Sequence, residues 1–306
     1  MSIQTLVEKI KEKGNPTVAG LDARLEYIPQ HISGRNMMLH GETLRAAAES
    51  VVAFNCGLID ALCDIVPAVK PQAAYYELLG SYGAMALKET IDYAHAKGMY
   101  VIGDIKRNDI GATAACYANA YIGKTDMPDG AQAAFGADIA TINPYLGVDG
   151  VKPFADACRE NGTGVFVLVK TSNPSSGQLQ DLRFEDGRTL YQAVADLVEE
   201  WGEETRGESG YSAVGAVVGA TYPEEQKIIR ELLPKSYFLV PGYGAQGATA
   251  KDIANAFNDD GLGAIVNSSR GIMCAWKKTG NNGEDYKEAA RAEAIRMRDD
   301  IVAAIK

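Results

Sequence analysis

Histidine is scarce in this sequence, whose 306 residues include only His31, His40 and His95. Few histidines are therefore available for a metal site built on imidazoles or for a Ser-His-Asp triad. Cysteine is also sparse, with five residues scattered along the chain and no C-x-x-C pair. That usage indicates reduced thiols in a cytosolic protein rather than a disulfide framework.

The chain also lacks basic tracts and long apolar runs. Its formal net charge is −10 at pH 7, which argues against a general affinity for nucleic acid. No apolar run is long enough to cross a membrane, and lysines and glutamates interrupt the first residues, so we expect no signal peptide. We therefore expect a cytoplasmic protein that binds neither nucleic acid nor a membrane.

What the chain does contain is a regular alternation of short apolar runs and helical patterns. Hydrophobic residues make up 46% of the sequence, which is enough for a large α/β core. Continuous apolar runs are typical of parallel strands that are buried on both faces. The predicted strands are 17–22, 65–70, a strand beginning at 100, 137–143, 164–170, 213–220, 236–240 and 263–268.

Eight βα units at this length predict a closed (β/α)₈ barrel, the TIM barrel, with an extra N-terminal helix. We expect residues 1–306 to form a single catalytic domain, because no composition break marks a linker. A doubly wound open sheet is the alternative fold. Charged and polar residues recur at the predicted strand ends, which favours the barrel.

Charged side chains concentrate around the third predicted strand. Side chains alternate along a strand, so we expect Asp104 and Lys106 to point the same way. Asp109 follows where the strand gives way to a turn, and Lys70 ends the preceding strand. Parallel strands of a barrel deliver their ends to one rim, so these groups should meet there. A surface charge cluster near a turn is the alternative interpretation.

A glycine-rich segment, Pro-Gly-Tyr-Gly-Ala-Gln-Gly at 241–247, follows the seventh predicted strand. It matches G-x-G-x-x-G, but it lies late in the chain rather than on the first βα turn, which disfavours a dinucleotide site. Barrel loops after strands seven and eight commonly bind phosphate through backbone N–H groups. Gln246 can donate an amide hydrogen bond there, and Arg270 supplies a forked, permanent positive charge.

Residues 104–113, Asp-Ile-Lys-Arg-Asn-Asp-Ile-Gly-Ala-Thr, resemble the signature of the orotidine 5′-phosphate decarboxylase family. Segments 170–174 and 241–247 are similar to its longer, mainly bacterial branch. The resemblance extends from Asp22 to Arg270. It implies a carboxy-lyase that needs neither metal nor organic cofactor and converts orotidine 5′-phosphate to uridine 5′-phosphate, the last step of de novo UMP synthesis.

The resemblance also implies roles for individual residues. A catalytic Lys-Asp-Lys-Asp array would surround the reacting carbon at Lys70, Asp104, Lys106 and Asp109. The implied substrate-binding residues are Asp22 on the ribose, Thr113 at a ribose contact shared across a dimer, Ser172 on the pyrimidine ring, and Gln246 and Arg270 on the phosphate. The implied partner is a second copy, a homodimer in which Asp109 and Thr113 act across the interface. The long segments 23–41 and 171–188 depart from the family pattern, and the second is predicted to be a lid.

The chemistry of that family fits these residue types. Loss of CO₂ from C6 leaves a carbanion that no neighbouring group delocalises well, so the protein must place positive charge there. Lys106 is a cation that can also donate the proton to C6. A magnesium-dependent keto-sugar-phosphate decarboxylase or aldolase is one alternative, although its metal ligand would stand where this chain has Lys70. A non-catalytic phosphate-binding barrel is the other.

Overall fold

The computed structural model describes residues 2–22, 24–244 and 247–306. At its centre each strand pairs in parallel with the next, and the last pairs with the first, which closes a barrel. The strands are β1 (Thr17–Leu21), β2 (Ala68–Pro71), β3 (Tyr100–Arg107), β4 (Ile139–Ile142), β5 (Gly164–Lys170), β6 (Val214–Val218), β7 (Phe238–Val240) and β8 (Ala264–Ser268). The predicted (β/α)₈ barrel is confirmed, and the open-sheet alternative is wrong.

Helices connect the strands and cover the outside of the barrel. Within the described residues they are α1 (Ser2–Lys13), α2 (Gln30–His40), α3 (Leu44–Leu62), α4 (Ala73–Glu77), α5 (Gly80–Ala96), α6 (Gly111–Tyr121), α7 (Val148–Asn161), α8 (Gly177–Gln180), α9 (Leu190–Gly202), α10 (Pro223–Leu232), α11 (Ala250–Ile253), α12 (Arg270–Met273) and α13 (Tyr286–Ala304). Among these helices, none combines the length and the apolar character needed to span a membrane.

The N-terminal helix α1 closes one end of the barrel. Its buried face, formed by Ile3, Leu6, Val7 and Ile10, belongs to the same apolar cluster as side chains of the barrel interior such as Phe166. The predicted extra N-terminal helix is therefore confirmed. Because α1 packs at the N-terminal ends of the strands, the C-terminal ends remain as the open end.

A second apolar layer joins the outer faces of the strands to the helices. Helix α3 contributes Phe54 and Leu58, and α13 contributes Met297 and Ile301, all fully buried in this layer. Each such side chain stabilises the fold by about 1.5–3 kcal/mol relative to an exposed one. This layer fixes the strands, and through them the side chains at the open end.

The barrel closes between β8 and β1 at a glycine. A Cβ atom on Gly20 would lie 1.9 Å from Ser269 Oγ and 3.0 Å from Asn267 Oδ1. Any side chain at position 20 would push the end of β8 outwards. The glycine therefore keeps the segment that leads into Arg270 beside the end of β1.

Beyond small differences at element ends, the structure departs from the predicted elements at α2, at 171–188 and at the start of β2. Helix α2 lies in a stretch predicted as irregular. The prediction missed it because its sequence shows no apolar stripe, and in the structure no residue of α2 is fully buried. The segment 171–188, predicted as a loop, contains α8 and a 3₁₀ turn at Pro174–Ser176. Strand β2 begins at Ala68, since the N–H groups of Ile65 and Val66 still donate to the Leu62 carbonyl at the end of α3.

Candidate active site

The open end of the barrel contains a cavity of about 720 Å³. Six of the predicted site residues line it: Asp22, Lys70, Asp104, Lys106, Ser172 and Arg270. They lie in or directly after β1, β2, β3, β5 and β8. The C-terminal ends of parallel strands share one rim, which is why residues so distant in sequence meet there.

Asp104 of β3 is the centre of a hydrogen-bond network at this rim. Lys70 Nζ and Gln72 Nε2 donate to Oδ2 at 2.7 and 3.0 Å. Thr141 Oγ1 donates to Oδ1 at 2.8 Å, and Lys106 Nζ contacts the same oxygen. Each carboxylate oxygen therefore receives one ammonium and one neutral donor, an arrangement that favours the ionised carboxylate.

The charges in this network shift the pKa values of its buried members. Burial by itself would raise the pKa of Asp104, but the attraction of Lys70 and Lys106 outweighs it and holds that pKa well below its usual range. Burial would likewise lower the pKa of Lys70, but attraction by Asp104 and Asp22 raises it above 10.5. Asp104 and Lys70 are therefore both ionised near neutral pH.

Lys106 reaches Asp104 through an irregular backbone. Its φ of +47° lies in the left-handed region, which costs a residue other than glycine about 1–3 kcal/mol. The pairing of β3 with β4 also shifts register between Gly103 and Arg107. Asp104 and Lys106 do meet, but the alternation of a regular strand is not the reason. The positive φ of Lys106 and the shifted pairing with β4 set the direction of the lysine side chain instead.

Two acceptor oxygens beside the network have no donor among the residues that the structure describes. Asp22 Oδ1 and Asn267 Oδ1 are buried, and neither finds a hydrogen-bond partner among the described residues. Both residues line the cavity. A buried acceptor without a donor is unfavourable by about 1–3 kcal/mol, so hydroxyl groups of a bound molecule would be stabilised here.

The described start of the glycine-rich segment and Arg270 form the wall beside β7 and β8. Gly242, Tyr243 and Arg270 line the cavity. Tyr243 OH donates to Asp300 Oδ2 of α13 at 2.6 Å, and burial raises the pKa of Tyr243 to about 12. This bond anchors the glycine-rich segment to α13. Gln246, predicted to bind phosphate, lies outside the described residues.

The segment after β5 forms the opposite wall. Ser172 and Gln180 from this segment line the cavity. Lys170 is fully buried, its ammonium pairs with Asp181, and it lies 4.5 Å from the centre of the Tyr222 ring. The buried lysine therefore ties the segment to the end of β5.

Asp109 and Thr113 are not among the described residues that line the cavity. Asp109 Oδ1 accepts a hydrogen bond from the Ile110 N–H at 2.9 Å, and Thr113 is exposed on α6. Within one chain these two predicted site residues therefore stay apart from the other six.

Sequence reasoning missed Gln72 and Thr141. Gln72 stands two residues after Lys70 and pairs with Asp104 in an isolated bridge just beyond β2, so the alternation of β2 continues to it and places both side chains on the same face. Thr141 stands two residues before Asn143, at the end of a predicted strand. Spacing by two residues from a strand end was therefore the signal that could have identified both residues.

Fold and site together define a (β/α)₈ barrel whose open rim carries a buried lysine–aspartate network. The chain belongs to the Orotidine 5'-phosphate decarboxylase / HUMPS family, whose sequence pattern matches residues 51–282.

Individual relatives agree with this membership along nearly the whole chain. The orotidine 5'-phosphate decarboxylase of Rhodopirellula baltica is 44% identical over 95% of this chain and 96% of its own. The orotidine 5'-phosphate decarboxylase of Caldicellulosiruptor bescii is 41% identical over 98% of this chain and 97% of its own. The solved structure of Leishmania donovani OMP decarboxylase is 32% identical and has a TM-score of 0.73. The match covers 99% of this chain and 98% of that one. These relatives confirm the family that the sequence predicted, and with it the expectation of a carboxy-lyase.

Proposed function

We propose that this protein decarboxylates orotidine 5′-phosphate to uridine 5′-phosphate without a metal or an organic cofactor. Relatives that are 44% and 41% identical carry the name of that enzyme. The observation that carries the proposal is the network in which Lys70 and Lys106 hold the two oxygens of Asp104 at the cavity wall. Because α1 and α13 both pack on this barrel, residues 1–306 would act as one catalytic domain.

The order of residues around the rim matches the order of groups in a nucleotide. Strands β8, β1, β2 and β3 are neighbours in the barrel. Arg270 and Asp22 follow β8 and β1, and Lys70 and Asp104 lie within β2 and β3. In the proposed complex Arg270 and Gln246 bind the phosphate, and Asp22 Oδ1, which has no donor among the described residues, accepts a hydrogen bond from a ribose hydroxyl. The ring then lies at the lysine–aspartate network, with Ser172 at its edge.

The reaction breaks the bond between C6 and the carboxylate carbon. CO₂ leaves and the electron pair stays on C6, where the Lys106 ammonium stabilises the developing charge. Lys106 then donates a proton to C6, which forms the new C–H bond and leaves a neutral amine. Its side chain is partly exposed, so it regains a proton from water.

Asp104 and Lys70 prepare the site for that step. The substrate carboxylate approaches Asp104, and the repulsion between the two anions ends when CO₂ departs. Lys70 neutralises Asp104 inside the barrel wall, so the carboxylate stays ionised while it is buried. The phosphate contacts are remote from the breaking bond, and their binding energy offsets the cost of ordering the site.

The donor set favours this reaction over the magnesium-dependent alternative. The ammonium of Lys70 stands at the position where a metal ligand would be needed, and it repels a divalent cation. Lys70 and Lys106 also occupy both oxygens of Asp104. Mg²⁺ prefers carboxylate and water oxygens around it, and this arrangement leaves Asp104 poorly available.

We also propose that two chains form a homodimer in which Asp109 and Thr113 reach the partner's cavity. The support is that neither side chain lines the cavity of its own chain. Exposed apolar side chains also occur near these residues. Ile110 directly follows Asp109, and Tyr145, Leu146 and Val148 lie between β4 and the start of α7. Several exposed apolar side chains in neighbouring segments are what an interaction site would contain.

The test of the proposed reaction is the decay of the orotate ultraviolet absorbance on adding the protein in the presence of EDTA. Loss of the absorbance under these conditions supports cofactor-free decarboxylation. Decay only after Mg²⁺ is restored would support the metal-dependent alternative. No decay under either condition would support a phosphate-binding barrel without catalysis.

A further inference from the structure

We propose that Thr141 is a positioning residue of the reaction centre, whose single hydroxyl fixes both the backbone of Lys106 and the carboxylate of Asp104. The inference rests on the proposed decarboxylation, because it concerns the two residues that would act on the substrate. Thr141 would act only through them.

The two hydrogen bonds of the Thr141 hydroxyl can have only one donor–acceptor assignment. Thr141 lies in β4, is 1% exposed and borders the cavity. Its Oγ1 is 3.0 Å from the backbone nitrogen of Lys106 and 2.8 Å from Asp104 Oδ1. A backbone N–H can only donate and an ionised carboxylate can only accept. The hydroxyl therefore accepts from Lys106 and gives its one proton to Asp104.

The bond to the Lys106 N–H stabilises an unfavourable backbone conformation. Lys106 has a φ of +47°, and the ladder between β3 and β4 shifts register around it. Strained conformations persist where the surrounding structure holds them in place. The hydroxyl from the neighbouring strand provides such a bond at the residue whose side chain must reach the substrate.

The bond to Asp104 matters once the proton has moved. Lys106 Nζ and Thr141 Oγ1 share Oδ1, while Lys70 and Gln72 share Oδ2. When Lys106 donates its proton to C6 it becomes a neutral amine and holds Oδ1 less strongly. Thr141 then keeps a donor on that oxygen, so the carboxylate does not rotate during the reaction. The same hydroxyl therefore aligns the proton donor and its anionic neighbour.

Two substitutions distinguish the role of the Thr141 hydroxyl from the packing of its side chain. Thr141→Val keeps the branched shape of the side chain but removes the hydroxyl, so both hydrogen bonds are lost. Thr141→Ser keeps the hydroxyl and removes only a methyl group. The valine variant is thus the test, and the serine variant is its matched control. If the valine variant does not fold, Thr141→Ala removes the same hydroxyl and replaces it in the comparison.

We expect Thr141→Val to lower kcat by about 10- to 100-fold, the effect of losing a hydrogen bond to a charged group. KM for orotidine 5′-phosphate should change by no more than about threefold, since Thr141 does not touch the substrate. Thr141→Ser should keep kcat within about threefold of wild type, because its hydroxyl can form both bonds. A purely structural role would instead lower stability without this separation of kcat from KM.

The second readout does not depend on activity. In a crystal structure of unliganded Thr141→Val we expect Lys106 to leave the left-handed region and its ammonium to move from Asp104, whereas Thr141→Ser keeps both. Wild-type turnover in the valine variant, or unchanged Lys106 and Asp104 positions, would overturn the proposal. Failure of the wild-type protein to decarboxylate the nucleotide would instead overturn the proposed function, and the crystal structures would still decide whether Thr141 holds Lys106.

Discussion

Lys70 and Lys106 bind different oxygens of the Asp104 carboxylate, yet solvent reaches the two side chains very unequally. The Lys70 side chain is 5% exposed, and the Lys106 side chain is 44% exposed. A buried ammonium can neutralise Asp104 but cannot exchange protons readily with water. An accessible ammonium can meet a ligand, give up a proton and recover it. The two lysines therefore have separate tasks, and substitutions should separate them.

Lys106→Ala should abolish nearly all turnover while binding of uridine 5′-phosphate survives. It removes both the proton donor and the nearest cation, so kcat should fall by at least about 1,000-fold. The measurements are kcat at saturating substrate and calorimetric binding of uridine 5′-phosphate. Lys227→Ala, at an exposed lysine of α10, is the control and should leave both unchanged. Near-wild-type turnover in Lys106→Ala would remove Lys106 from its role as proton donor.

Lys70→Met should destabilise the fold, because Asp104 stays buried after losing one of its two cations. The expected loss is up to about 3 kcal/mol, at the lower end for breaking a buried ion pair, since Lys106 still contacts Asp104. Urea unfolding at pH 7 measures it. The double variant Lys70→Met/Asp104→Asn should recover part of the loss. A double variant less stable than Lys70→Met would contradict the assigned pairing.

The cost of Lys70→Met should also depend on pH. The pKa of Asp104 is lowered in the fold, so its stabilising contribution is present above about pH 4 and is lost as the pH falls through the lowered pKa. The pKa of Lys70 is raised, so its contribution is complete below about pH 10 and is lost as the pH rises through the raised pKa. The difference in unfolding free energy between wild type and variant should be largest between these limits. A difference that grows towards acid pH would contradict this.

Mixing inactive Asp109→Ala and Lys106→Ala subunits should restore part of the activity. If Asp109 acts in the partner's cavity, a mixed dimer contains one site with both residues intact. Random mixing of equal amounts makes about half of the dimers mixed, so up to about one quarter of wild-type activity is expected. Activity after denaturation and joint refolding measures this. A mixture as inactive as its parents would argue that no site is shared.

Arg270→Ala should weaken the binding of a nucleotide far more than that of a nucleoside. Loss of a charge-assisted contact to phosphate should lower the affinity for uridine 5′-phosphate by about 10- to 100-fold. Uridine has no phosphate, so its affinity should stay nearly constant. Calorimetric titration of both ligands gives the comparison, with Arg159→Ala, at an exposed arginine of α7, as the control. Equal losses for both ligands would place Arg270 away from the phosphate.

The sequence predicted the barrel and most of its rim because both follow from local patterns. Apolar runs mark the buried strands, and Lys70, Asp104 and Arg270 stand at or just beyond the ends of such runs. The backbone of Lys106 was not predictable in this way. Its left-handed φ depends on the shifted pairing with β4, a contact between segments that no local pattern records.

Helix α2 and the placement of Asp109 escaped prediction from local patterns for different reasons. Helix α2 packs against α3 without a fully buried residue, so its sequence lacks the apolar period by which a helix is recognised. Asp109 follows the strand that carries Asp104, so the local pattern places it at the same rim, but its side chain does not line the cavity of its own chain. Its proposed target lies on another chain, which no local pattern records.

The central claim is that a nucleotide lies along the rim with its C6 carboxylate at the lysine–aspartate network. A crystal structure of the Lys106→Ala variant with orotidine 5′-phosphate tests it most directly. We predict the phosphate at Arg270, a ribose hydroxyl on Asp22, and the C6 carboxylate beside Asp104 in the space that the lysine leaves. A nucleotide bound in the reverse direction, with its phosphate at Lys70 and Asp104, would contradict the account.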